Sequence, residues 1–119
     1  EDPAVYVDFD PPPDTLFQFA ASFSEFIYLR AFDFEGWYEE GRFLLETRQP
    51  LREETIGWLT KTFKEEPSSL GWPGTKTYRY SCPLGRITIW QSEDQADWAL
   101  TGETPASFQE LERQVKTLW

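Results

Sequence analysis

Apolar and polar positions alternate in AVYVDFD, with Val5, Val7 and Phe9 on one face and Tyr6 and Asp8 on the other, which predicts a half-buried strand over 4–10. Pro11, Pro12 and Pro13 end the pattern, because residues without N–H groups cannot continue a ladder, and they predict an extended connector. The run SFSE reads as a capping box: Ser22 can accept from the N–H of Glu25 while Glu25 reaches back. Phe23, Phe26, Ile27 and Arg30 follow at helical spacing, so a helix is expected over about 22–32. Phe32, Phe34 and Trp37 lead into a turn at Gly36, after which GRFLLETR resumes period two, with Phe43, Leu45 and Thr47 facing one way.

Pro50 suits a first helical turn, and Leu51, Ile56, Leu59 and Phe63 fall on one stripe, which predicts a second helix ending near Glu66 and Pro67. The stretch SSLGWPG, punctuated by Gly71, Pro73 and Gly74, reads as a loop carrying Trp72. Three alternating runs follow, TKTYRYSC, RITIWQS and QADWALT, separated by turns short enough for an antiparallel meander. Thr104 as N-cap, Pro105 in the first turn and a stripe of Phe108, Leu111, Val115 and Leu118 predict a closing helix over 105–116. Strand, helix, strand, helix, three strands and helix define an α+β class: a single domain over 1–119, with helices packed on a mostly antiparallel sheet.

Within RITIWQS, Ile87 and Ile89 share one face, leaving Arg86, Thr88 and Trp90 on the more polar one. In QADWALT, Ala96, Trp98 and Leu100 oppose Asp97, Ala99 and Thr101, so Trp98 is expected inward beneath a helix. Trp90 is then either half-covered or a binding ring, since exposed Trp is enriched at interface hot spots.

A chain of 119 residues with 39% apolar content can build one core. No apolar run approaches the roughly 18 to 20 residues of a membrane span, and no basic-then-apolar leader opens the chain, so a soluble, cytoplasmic protein is expected. The start at Glu1 and the lack of Met are what a processed or trimmed product would show. The single cysteine, Cys82, cannot form an internal disulfide and reads as a small buried side chain. Histidine is absent, which removes the usual general base at neutral pH and the commonest metal ligand. Glu93, Asp94 and Asp97 could supply oxygen ligands, but their spacing lacks the Asp-x-Asp-x-Asp-Gly calcium loop. Paired acids could serve glycoside hydrolysis, yet 21 acids in a small chain make accidental pairs certain. No catalytic residue, metal or cofactor is expected, and the chain is read as a non-enzyme.

The formal charge of −10 is concentrated in the first third, where ten acids stand against Arg30 alone. Such a segment repels nucleic acid phosphate and attracts basic proteins, or serves solubility alone.

The stretch from Tyr78 to Trp119, YRYSCPLGRITIWQSEDQADWALTGETPASFQELERQVKTLW, resembles the closing strands and final helix of the SUKH superfamily. SFSEFIYLRAF resembles the helix near its beginning, and together the two cover about half the chain. In place of the Asn-Gly-Gly that often follows that helix stand Phe34, Glu35 and Gly36. The resemblance implies an α+β domain that binds another protein, many such domains being immunity proteins that neutralise toxins, and it implies no catalytic residues. The leading expectation is therefore a protein-binding module that meets a basic toxin through an acidic surface. An accessory subunit of a larger assembly, held by exposed aromatic residues, is the alternative. The partner-binding candidates are Asp33, Glu35, Trp37, Glu39, Glu40, Trp72 and Trp90; no nucleic acid partner and no membrane insertion are expected.

Overall fold

The computed structural model describes residues 2–8, 16–20, 22–34, 39–66 and 74–119, of which 7–8 and 16–20 along the backbone alone. Within them β1 (Val5–Asp8) pairs antiparallel with β2 (Leu16–Ala20) as a two-stranded ribbon. β2 was not expected: LFQFA offers no clean polar alternation. The proline connector lies outside the described residues.

Helix α1 (Phe23–Phe34) begins as the capping box requires, with the Glu25 N–H donating to Ser22 Oγ at 3.1 Å. The Ser24 N–H donates to Asp2 Oδ1 at 2.9 Å, which places a carboxylate at the positive end of the helix dipole. The helix runs two residues past the expected end, and its buried positions are Leu29, Phe32 and Asp33. Phe23 and Ile27 face outward, at 52% and 51% exposure. Of the positions read at helical spacing, Phe23, Ile27 and Arg30 are thus on the solvent side of the helix, and Phe26 is half-buried.

The main sheet has the order β3-β7-β6-β5-β4, every pairing antiparallel. The three-stranded meander is β5 (Lys76–Cys82), β6 (Gly85–Gln91) and β7 (Ala96–Gly102), with β3 (Phe43–Arg48) added along β7. Helix α2 (Glu53–Thr62) stops earlier than its stripe predicts. Phe63 turns extended, and Lys64–Glu65 form β4 by pairing with Ser81 and Tyr80 of β5. Tertiary pairing overrides local helical spacing there. Helix α3 (Pro105–Lys116) matches its expected span, with Thr104 Oγ1 accepting from the Ser107 N–H at 3.0 Å.

Register divides the sheet into two unlike faces. Leu44, Ile87, Ile89, Trp98, Leu100, Tyr78 and Tyr80 lie on one, beneath α2 and α3, where Leu59, Leu111 and Val115 have no exposed surface. Leu45, Thr47, Asp97, Thr88, Trp90 and Arg79 lie on the other, which α1 covers in part. The sheet is the middle of three layers, and its polar face is the one left partly open.

Close approach fixes α3 at the end of this sheet. A Cβ on Gly102 would stand 2.4 Å from the Phe108 Cβ and 2.5 Å from its Cα, and backbone cannot give way as a flexible side-chain tip can. Gly102→Ala is therefore expected to lower stability by about 1 to 3 kcal/mol, the usual range for overpacking, measured by urea unfolding. A loss under about 0.5 kcal/mol would show that the first turn of α3 shifts freely.

Candidate protein-binding site

The open part of the polar face is a groove of about 560 Å³ whose lining includes Phe34, Leu45, Thr47, Trp90, Gln95 and Asp97. β6 sets Trp90 here by alternation, two residues from Thr88 and facing away from Ile89. β3 contributes Leu45, a large apolar side chain left 49% exposed. α1 delivers Phe34 from its last position, and the Phe34 and Trp90 rings stack at 6.2 Å and 25°. The Arg30 guanidinium lies 4.3 Å from the Phe34 ring centre, so that cation and two rings run in series into the groove.

Asp97 stands on β7 directly across from Trp90 in register. It accepts from Thr47 Oγ1 at 2.6 Å and from Gln95 Nε2 at 3.1 Å, bonds that hold the carboxylate at the rim. An apolar floor beside a fixed negative charge suits a cationic side chain with an aliphatic stem: the stem covers the rings and the head meets Asp97.

The expected binding residues do not assemble into one surface. Asp33 is buried, and its carboxylate accepts from Arg79 Nε at 2.9 Å, Arg79 Nη2 at 2.8 Å and Thr88 Oγ1 at 2.9 Å. It pins α1 to the sheet and forms no part of an exposed acidic patch. Glu39 and Glu40 are exposed, Glu39 in an ion pair with Arg42, which also donates to the Gly102 carbonyl at 2.8 Å. They precede Phe43, whose partner is Thr101, four positions along β7 from the Asp97 that faces Trp90. At about 3.4 Å per residue the two groups lie at opposite ends of the sheet. Glu35, Trp37 and Trp72 lie outside the described residues.

Leu45, Phe34 and Asp97 were missed as binding residues. Leu45 was visible as a member of the Phe43, Leu45 and Thr47 face, but nothing local shows that this face is the open one.

A smaller cleft of about 380 Å³ joins α1 to the sheet near Tyr28, Glu66, Ser81 and Cys82. Glu66 accepts from Ser81 Oγ at 2.8 Å and from the Tyr28 hydroxyl at 3.2 Å, and lies 3.8 Å from Lys64 Nζ. Burial first, then the nearby Glu66 charge, pushes the Tyr28 hydroxyl up from its ordinary value, so it stays protonated at neutral pH. Cys82 is a half-buried free thiol at this edge. Among the described residues no group of three metal-ligating side chains comes together, and no helix is long and apolar enough to cross a membrane.

Fold and surfaces together define a three-layer α+β domain with one polar, partly open sheet face. Compared with protein family models, curated proteins and solved structures, the chain finds no match.

Proposed function

We propose that this protein is a non-enzymatic protein-binding module that receives a basic segment of a partner in the groove at Trp90. The observation that carries the reading is the juxtaposition of stacked Phe34 and Trp90 with exposed Leu45 and the fixed carboxylate of Asp97. Ten acids in residues 1–40 against Arg30 supply the longer-range field, of which Asp33 is cancelled locally by Arg79. The resemblance of residues 78–119 and 22–32 to the SUKH superfamily supports the same reading and narrows it to an immunity protein that neutralises a basic toxin in the cytoplasm.

A second reading, an accessory subunit of a larger assembly, rests on the outer side of α1, where Phe23 and Ile27 are each about half exposed. Phe23 stacks on Phe26 at 6.4 Å, and exposed apolar side chains of this kind are what a permanent interface covers.

The test is kinetic and uses a partner captured on the intact protein. Glu39→Lys with Glu40→Lys should slow association and flatten its salt dependence, because steering follows the net field. Trp90→Ala should leave the salt slope in place and speed dissociation, at a cost of about 2 kcal/mol or more for a desolvated hot-spot ring. Unchanged kinetics in Trp90→Ala, with binding lost in Ile27→Asp, would transfer the interface to α1 and establish the assembly reading instead.

A further inference from the structure

On the opposite face of the sheet, the end of β3, the first turn of α2 and the end of the chain enclose a cavity of about 480 Å³. That is within the size range of small-molecule sites. Its described lining includes Arg48, Arg52, Leu51, Trp98, Leu118 and Trp119, and contains two arginines but no Asp or Glu side chain in a chain of charge −10.

Four features of this wall point to an anion. Arg52 is the N-cap of α2 and lines the cavity, and no N-cap side chain accepts from that helix start. Arg48 lies with its guanidinium 4.5 Å from the Trp119 ring centre, and its bond to Glu46, at 3.3 Å, uses only part of its five N–H donors. Trp98 is 1% exposed, and its Nε1 has no hydrogen-bond partner among the described residues; the same holds for Trp119 Nε1. The two indoles meet edge to face at 5.7 Å and 77°, a geometry in which one N–H can lie against the other ring but not both. At least one indole N–H is therefore a buried donor with no acceptor, beside two guanidinium groups.

We propose that this cavity binds a small carboxylate carrying an apolar body. The carboxylate is held between Arg52 and Arg48 at the start of α2, and the body lies against Leu51, Leu118 and Trp119. A planar carboxylate matches the guanidinium fork in two parallel bonds. Glu53 and Glu54 in the first turn of α2, together with Glu46 on Arg48, reduce the local positive field. A monoanion is accommodated there more readily than the dianion of a phosphate ester. The site uses none of the residues of the Trp90 groove, so it stands or falls apart from the protein-binding reading.

The test is a titration of the intact ¹⁵N-labelled protein followed through its six indole N–H resonances, assigned with Trp98→Phe and Trp119→Phe. Phenylacetate is expected to saturate one site with a Kd of about 1 mM, fitting for a fragment of its size, and to shift the Trp98 or Trp119 resonance selectively. Phenylacetamide, which keeps shape without charge, and acetate, which keeps charge without the body, should each bind at least about tenfold more weakly. Arg52→Gln, an exposed change, should weaken phenylacetate by about tenfold while leaving the rest of the spectrum in place. Failure to saturate by about 20 mM, equal affinity for the amide, or full affinity in Arg52→Gln would overturn the proposal. Tighter binding of phenyl phosphate would overturn the assignment to a carboxylate.

Discussion

Asp33→Ala is expected to destabilise the protein by about 3 to 5 kcal/mol, the range for leaving one charge of a buried pair without its partner. The Arg79 side chain is only 4% exposed and donates two hydrogen bonds to Asp33. Its Nη1 already has no partner among the described residues, so removing Asp33 leaves a whole guanidinium in a site closed to water. Thr88 loses its acceptor at the same time. The loss lies in the buried cation rather than in the attraction itself, so Asp33→Leu combined with Arg79→Met should recover most of it. Urea unfolding of the two single variants and the double variant measures the coupling. A loss under about 1 kcal/mol in Asp33→Ala would mean that water reaches Arg79 and that α1 is not anchored by this pair.

That anchor explains why part of the fold was legible and part was not. The meander and α3 carry their information locally: alternation in β5, β6 and β7 is unbroken, and Thr104 with Pro105 marks the start of α3. Trp98 inward and Trp90 on the polar face followed from alternation alone. Asp33 failed because an acid among acids reads as surface, while the arginine that buries it lies 46 residues away. A signal did exist: Leu29, Phe32 and Asp33 follow the i, i+3, i+4 spacing of a buried stripe, whereas Phe23 and Ile27 sit on the other side. The end of α2 failed for the reason that Phe63 fits a helical stripe equally well. Only the pairing of Lys64 and Glu65 with β5, set by the third dimension, turns the chain extended. The Trp90 groove was half legible for the same reason, since the sequence places Leu45 and Trp90 on faces but does not say which face α1 leaves open.

Leu111→Ala should cost about 2 to 5 kcal/mol, because Leu111 has no exposed surface and stands in the middle of the stripe by which α3 meets the sheet. Phe108 and Val115 flank it one turn to either side, and both are buried. The backbone approach at Gly102 and Phe108 holds the first turn in place, so α3 cannot sink to fill the space left by the missing side chain. A wall that cannot collapse places the cost toward the upper part of that range, since destabilisation rises with the volume that stays empty. Leu111→Met, which conserves volume, should cost less than about 1.5 kcal/mol and separates cavity formation from any general sensitivity of the helix. Thermal and urea unfolding give both values. Equal losses in the two variants would show that side-chain shape rather than lost volume governs the site. A loss below about 0.5 kcal/mol in Leu111→Ala would place the stripe in solvent and undo the three-layer arrangement that leaves the polar face available for binding.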